Sequence, residues 1–199
     1  MNDQDTRTAA TADVTASKGG RGYHHGDLRN GLLEAARTIL EEESLAALTV
    51  SHAAPYRHFP NHEALLVELS IEGFDELREA LVEAAKAPGS ESDRIATLGA
   101  AYMRFVAARP ALARLMFGGQ LPNRDQFPTL GLKADAIGET IGAALHDNAL
   151  GLAVWGAMHG LAMLVLENVI DLGQRRSGLH VLPARAEIIL RSLFATSRD

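Results

Sequence analysis

The fold follows most directly from the stretch LAVWGAMHGLAMLVL, residues 152–166. Its only polar side chain is that of His159, so a helix formed here is apolar on every face. Such a helix has to be buried on every face, and its fifteen residues are too few to cross a bilayer. We expect one face to pack inside the protomer and the other against a second chain, where Gly156 and Gly160 allow close helix approach. A central core helix in a monomer is the alternative.

Apolar residues recur with helical spacing on both sides of this stretch. Asp27 and Asn61 precede two such runs and are candidate N-caps. Glu41, Glu42 and Glu43 end the first run, where the helix dipole disfavours negative charge, so we expect that end to fray. We predict helices over residues 28–43, 62–87, 91–108, 110–118, 129–146, 149–172 and 183–196, with a short segment 51–59 before the second.

The composition agrees with an all-α chain that has no disulfides. Of the 199 residues, 47% are hydrophobic and 22% are charged, as in ordinary globular proteins, and only 5% are aromatic. Cysteine is absent, which excludes disulfide scaffolds, cysteine-ligated zinc and thiol nucleophiles and fits a reducing compartment. Residues 1–20 are polar and contain no apolar signal core, so we expect a disordered leader and a cytoplasmic location.

Charge is unevenly distributed along the chain. The net charge is −6, so the chain as a whole has no basic character that would indicate nucleic acid. Residues 51–62 nevertheless contain no carboxylate, and their basic or titratable side chains are His52, Arg57, His58 and His62. Contact with a polyanion is therefore permitted there and disfavoured elsewhere, although twelve residues without an acid also occur by chance.

Four short motifs carry a family resemblance. RGYHHGDLRN at residues 21–30 and PYRHFPNHEAL at residues 55–65 resemble the N-terminal part of tetracycline-repressor-type (TetR/AcrR) transcriptional regulators. The C-terminal part is similar to one branch of that family. This second likeness rests on RPALARLMFG at residues 109–118 and on Trp155 followed one turn later by His159-Gly160.

The resemblance implies a two-part helical architecture and a regulatory function. Residues 21–67 would form a helix-turn-helix DNA-binding domain, and residues 68–199 a helical domain that binds an effector and dimerises. We expect a ligand-responsive repressor whose partners are double-stranded operator DNA, a small-molecule effector and a second copy of the chain, without a membrane partner. The alternative is a helical dimer that binds a small molecule and has lost DNA binding.

One element of the family pattern is missing between Val50 and Ser51. Regulators of this type place a helix of roughly ten residues there, which crosses the DNA backbone and braces the recognition helix. Either the chain has lost this helix or the printed sequence omits it, and we expect a continuous chain that lacks it. The small domain would then be unstable and bind DNA weakly. The side chains expected to lose apolar cover are Leu33, Ile39, Leu40 and Phe59.

The resemblance also implies which side chains contact DNA. Ser51 would cap the recognition helix, the residues after it would face base edges, and Arg57 would reach the DNA backbone. His62 stands where the family has a lysine on a phosphate, so the contact is weaker at pH 7 and strengthens on protonation. The expected DNA-binding set is Ser51, His52, Ala53, Ala54, Tyr56, Arg57, His58 and His62.

The effector is expected to bind an apolar site in the C-terminal part. Plain core packing is the alternative for each candidate, and His159 alone would then be a neutral buried histidine with one hydrogen bond. The expected ligand-binding set is Tyr102, Phe105, Met116, Phe117, Trp155, Met158, His159 and Met163. The sequence contains no His-Glu-x-x-His, Glu-x-x-His or Gly-x-Ser-x-Gly motif, so we expect no enzyme, no metal and no cofactor.

Overall fold

The structure is a computed structural model that describes residues 25–42, 48, 59–119, 121 and 126–194. Every regular element within these residues is a helix, which confirms the prediction of an all-α fold. A 3₁₀ turn, Leu179–Val181, lies between the last two α-helices. The α-helices are α1 His25–Glu42, α2 His62–Ala85, α3 Glu91–Ala108, α4 Pro110–Phe117, α5 Pro128–Leu145, α6 Asn148–Leu166, α7 Gln174–Ser177 and α8 Leu182–Phe194.

Side-chain caps define where several helices begin. The Asn61 side chain accepts a 2.8 Å hydrogen bond from the Ala64 amide, which confirms Asn61 as the N-cap of α2. Asp147 caps α6 in the same way, through the amides two and three residues further on. The prediction for Asp27 is wrong, because α1 already begins at His25 and places Asp27 in the first turn.

The end of α6 differs from the sequence-based prediction. The helix stops at Leu166 rather than at residue 172, because Asn168 adopts a left-handed conformation with φ 56°. The Val169 amide then donates to the Leu164 carbonyl at 2.9 Å, which satisfies a carbonyl that the helix leaves free. The chain turns away at this point, and the short helix α7 and the 3₁₀ turn follow, neither of which we predicted.

Helix α3 lies at the centre of the bundle, with α2 packed on one side and α8 packed along another. Helix α5 packs along α6 and against α2. Two close approaches require glycine: a Cβ at Gly151 would lie 2.5 Å from the Gly142 Cα, and one at Gly99 would overlap the Leu190 side chain. The predicted domain boundary between residues 67 and 68 falls inside α2, which continues through it.

The N-terminal part of the core is better covered than expected. Its buried side chains include Leu33, Leu40, Leu48 and Phe59, whereas Ile39 is half-buried. The Arg29 guanidinium lies over the Phe59 ring, 5.2 Å from its centroid, and pairs with Glu68 at 2.5 Å. The expected loss of cover is therefore wrong for three of the four side chains, because Leu48 and α2 belong to the same apolar cluster.

Large apolar side chains remain exposed on α6 and on α8. Leu152 and Ile188 are each 64% exposed. At Gly156 and Gly160, no atom of the described protomer lies within 4 Å of the place a Cβ would occupy. Close helix approach within the protomer occurs at other glycines, and the approach to a second chain at Gly156 and Gly160 stays a prediction. We call this surface the apolar face and define it by Leu152, Leu164, Ile188, Ile189 and Leu193.

Helix α6 is longer than the stretch from which we predicted it. It has 19 residues and a mean hydropathy of 1.8 in its most apolar window, enough by length and composition to cross a membrane. The fifteen-residue stretch alone is too short to cross a bilayer, but the whole helix that contains it is not. The core helix of a soluble protein passes the same test, and α6 packs against α3 and α5. Only 33% of that window is buried, so much of its apolar surface has no cover within the protomer.

Candidate functional site

Most of the predicted DNA-binding set lies outside the described residues. This applies to Ser51, His52, Ala53, Ala54, Tyr56, Arg57 and His58, and also to the junction at Val50. Their roles therefore stay predictions. His62 is described: it is the first residue of α2 and is half-buried. Its Nε2 atom is buried and has no hydrogen-bond partner among the described residues.

Burial changes what His62 can do at a DNA backbone. Desolvation lowers the pKa of the His62 imidazole below its ordinary value of 6.5, because burial disfavours the charged form. The ring is therefore neutral at pH 7 and lacks the charge with which a lysine would hold a phosphate. Its buried Nε2 atom is also shielded from a DNA phosphate in this structure, so the DNA contact expected of His62 stays a prediction.

Four of the predicted effector residues meet in one group, which we call the aromatic cluster: Tyr102, Phe117, Trp155 and His159, together with Phe74. The Tyr102 hydroxyl and His159 Nδ1 are joined by a 3.0 Å hydrogen bond between α3 and α6. The Phe117 ring lies 4.7 Å from the His159 ring, centroid to centroid. Phe74 meets Phe117 edge-on at 5.3 Å, so α2, α3, α4 and α6 all contribute a ring.

The protonation states in the aromatic cluster follow from burial. Desolvation raises the pKa of the Tyr102 hydroxyl, an effect that Trp155 opposes in part, so this hydroxyl keeps its proton. Burial lowers the pKa of the His159 imidazole, which is neutral at pH 7. The Tyr102 hydroxyl can therefore donate to an unprotonated Nδ1. A neutral His159 with one hydrogen bond is the arrangement that the sequence predicted for packing without a ligand.

Trp155 supplies an unused hydrogen-bond donor beside this pair. Its Nε1 atom is buried, and no described atom accepts from it with hydrogen-bond geometry, although it lies near enough to Tyr102 to influence the phenol. The indole packs on α5, where a Cβ added at Gly138 would lie 3.1 Å from its Cε3. An unpaired buried N–H is costly, so a ligand acceptor here would recover a hydrogen bond.

The other predicted ligand-binding residues lie elsewhere. Met116 is buried against α2, beside Gly73, and Met158 is buried with its Sδ atom close to Gly99 of α3. Phe105 lines a separate open cleft of about 410 Å³ between α2 and α3. Met163 is half-buried at the edge of the core. Core packing accounts for the two buried methionines. The polar groups among the predicted ligand-binding residues, on Tyr102, Trp155 and His159, lie together in the aromatic cluster.

A network of charged groups that the sequence did not reveal joins α1 to α2 and α4. Arg37 of α1 pairs with Glu72 at 2.7 Å and with Glu76 at 3.6 Å, and Arg109 pairs with Glu76 at 3.3 Å. The Glu41 carboxylate accepts hydrogen bonds from two amides at the start of α4. Within the described residues, no group of three or more side chains is arranged to hold a metal ion.

The lowered pKa of His159 predicts how stability depends on pH. The unfolded chain binds a proton near pH 6.5 while the folded chain resists it, so the free energy of unfolding should fall as the pH drops below 6.5. His159→Gln should reduce the slope between pH 6.5 and 5 by a fraction of one proton, measured by urea unfolding at fixed protein concentration. His62 contributes in the same direction and leaves a residual slope.

Titration of the Asp93 carboxyl does not contribute to the slope between pH 6.5 and 5. Hydrogen bonds from Ser90 and Arg191 lower the pKa of its carboxyl, so its contribution is lost only as the pH falls below 3.8. Equal slopes for the natural protein and His159→Gln between pH 6.5 and 5 would contradict the assignment of a neutral, protonation-resistant His159.

Solved structures similar to this chain include proteins from Rhodococcus and from Thermus thermophilus. A protein of unknown function from Rhodococcus sp. RHA1 is 27% identical, with a TM-score of 0.63, over 88% of this chain and 100% of its own. A regulatory protein in the tetR family from Rhodococcus RHA1 is 18% identical, with a TM-score of 0.62, over 83% of this chain and 95% of its own.

A third similar structure is that of PfmR, a TetR family transcriptional regulator from Thermus thermophilus. It is 22% identical, with a TM-score of 0.55, over 83% of this chain and 92% of its own. No family model matches the sequence, and no curated protein matches it. At these identities the likeness concerns the fold. The chain therefore has the all-α fold of TetR-family transcriptional regulators.

Proposed function

We propose that the chain is a homodimeric DNA-binding transcriptional repressor whose DNA affinity responds to a small molecule. The observation that carries the proposal is the TetR-like fold over 83% of the chain, joined to the motif PYRHFPNHEAL, which runs into α2. In this proposal residues 21–67 bind operator DNA in the cytoplasm, and residues 68–199 bind the effector and dimerise. The proposal assigns the chain no enzymatic step.

The apolar face supports the dimer. An exposed apolar patch of this kind on a small protein marks an interaction surface. A two-fold axis would bring α6 and α8 against the same helices of a second copy, forming a four-helix interface. Gly156 and Gly160 carry no side chain, and no atom of the described protomer occupies the space beside them. The two α6 helices could therefore approach each other closely there. The proposed interface would thus include the 152–166 stretch from which dimerisation was predicted, and would add α8.

The aromatic cluster supports an effector site of defined chemistry. Its rings favour a flat or aliphatic ligand, and its polar groups are neutral, so the ligand is expected to be largely apolar. The Trp155 Nε1–H would donate to an oxygen or nitrogen acceptor on that ligand. Trp155 is the only tryptophan in the chain, so its fluorescence reports binding at this site without a label.

A second candidate function is a helical, dimeric small-molecule-binding protein that no longer binds DNA. The observation that favours it is the direct passage from Val50 to Ser51, which omits the helix that braces a recognition helix. The net charge of −6 also disfavours non-specific attraction to DNA. Both candidates predict the same dimer and the same effector site, so DNA binding separates them.

A gel-shift experiment distinguishes the two candidates. Purified protein is mixed with the DNA upstream of its own gene at about 50 mM and about 200 mM salt, with a scrambled duplex as control. Binding through phosphates should weaken at least tenfold between these salts, because counterions are released on binding. The absence of any shift at low salt would favour the second candidate.

A further inference from the structure

We propose that Glu41 couples the aromatic cluster to the DNA-binding part of the chain by holding the N-terminus of α4. The inference rests on the proposed function and names a positioning residue for its regulation. It is drawn from the contacts of α4, a helix of eight residues that touches the aromatic cluster at one end and α1 at the other.

The start of α4 depends on a carboxylate from another helix. Arg109, at the N-cap position, makes no side-chain cap, and Pro110 has no N–H. The next two amides, of Ala111 and Leu112, donate to Glu41 Oε2 and Oε1 at 3.2 and 3.0 Å. One carboxylate therefore satisfies the two free amides of the first turn and places negative charge at the positive end of the α4 dipole.

This contact also explains why an acidic residue ends α1. A carboxylate in the last turn of a helix is unfavourable for that helix, which is why the sequence predicted fraying. In the structure α1 remains helical through Glu42, and Glu41 faces the N-terminus of α4 rather than water alone. The Glu41 carboxylate is unfavourable at the C-terminal end of α1 but favourable at the N-terminus of α4. The stability of each helix end therefore depends on the other helix.

The opposite end of α4 belongs to the effector site. Phe117 packs on His159 and Phe74, and a Cβ at Gly73 would lie 2.6 Å from the Met116 Sδ atom. Eight residues span about 12 Å, and α4 is buried along Leu112 and Leu115. A ligand that displaces Phe117 is therefore expected to shift α4 as a whole, and the other end of α4 is hydrogen-bonded to Glu41.

The neighbouring ion pairs have a different role. Arg37 reaches Glu72 and Glu76, both on α2, and Arg109 also reaches Glu76. These pairs hold α1 on α2 and the end of α3 on α2. The described hydrogen bonds from α1 directly to α4 are those of Glu41. Removing the Glu41 carboxylate should thus release α4 from α1 and leave α1 docked on α2.

Hydrogen exchange of the full-length protein tests the coupling without DNA or effector. Two substitutions disturb the packing of α4: Phe117→Ala leaves a cavity at its effector end, and Gly73→Ala crowds Met116 near that end together with Leu112 in the first turn. In the protein with the natural Glu41, each substitution should raise the amide hydrogen-exchange rate at least threefold in residues 110–117 and also in residues 37–42. In the Glu41→Ala background exchange in 110–117 should still rise, whereas exchange in 37–42 should no longer respond.

Glu42→Ala is the matched control, because Glu42 is the exposed neighbour of Glu41 on the same helix. In that background residues 37–42 should respond to both substitutions as in the natural protein. The proposal is overturned if neither substitution reaches residues 37–42 in the natural background, or if the response survives in Glu41→Ala. Coupling without any DNA binding would refute the proposed function and leave this inference standing, and DNA binding without coupling would do the reverse.

Discussion

Leu152→Glu should convert the protein from a dimer into a monomer. Leu152 is 64% exposed within the apolar face proposed to form the four-helix interface, and α6 surrounds it with apolar side chains. A buried, unpaired carboxylate costs several kcal/mol, and the two-fold axis places two of them in the interface. We expect the dimer dissociation constant to rise at least ~1,000-fold. Sedimentation equilibrium over a range of protein concentrations measures it.

Leu132→Glu is the matched control for this experiment. Leu132 is 69% exposed, but it lies on α5 and is not part of the apolar face. The same change of side chain there should leave the dimer intact. Leu161, another position on α6, is a poorer choice because it is half-buried against the core. A Leu152→Glu protein that stays dimeric at micromolar concentration would exclude the apolar face as the interface.

Inserting a ten-residue helix between Val50 and Ser51 should strengthen operator binding at least ~100-fold. Without a bracing helix the recognition segment is expected to bind in the weak range of non-specific contacts, with dissociation constants of ~10⁻⁴–10⁻⁶ M. A complete helix-turn-helix typically reaches ~10⁻⁸ M or better. Fluorescence anisotropy with a labelled duplex at about 100 mM salt measures the difference.

Two controls separate bracing from mere spacing. A flexible insert of ten glycine and serine residues at the same junction should give no gain. Arg57→Ala in the helix-restored protein should remove part of the gain, since Arg57 is expected to reach the DNA backbone. Tight operator binding by the natural chain, unchanged by the helix insert, would show that the missing helix is not needed.

The helices were predictable because their signals are local. The run Glu91–Ala108 begins after Ser90, whose capping box with Asp93 needs only four consecutive residues. Asn61 and Pro110 mark two further starts for similar reasons. The exact end of α6 was not predictable, because Asn168 takes a left-handed conformation that glycine more often provides.

The arrangement of the candidate site was only partly predictable. The resemblance to TetR-type regulators pointed to Trp155 and His159, but the hydrogen bond between Tyr102 and His159 spans 57 positions and depends on how α3 packs on α6. The contact from Glu41 to Leu112 spans 71 positions. From the sequence alone Glu41 indicated a frayed helix end, because its compensating partner lies in a distant helix.

Selection from a random library of DNA duplexes decides whether this chain is a sequence-specific DNA-binding regulator. The purified natural chain and the helix-restored variant are each taken through selection at about 50 mM salt, and the stoichiometry of the selected complex is measured. We expect both to enrich the same two-fold symmetric sequence, with half-sites about one helical turn apart or a multiple of it, bound by two protomers per duplex. Failure of both proteins to enrich any sequence would contradict the proposal that this chain is a DNA-binding regulator, and enrichment by the helix-restored variant alone would identify the natural chain as a dimer that has lost DNA binding.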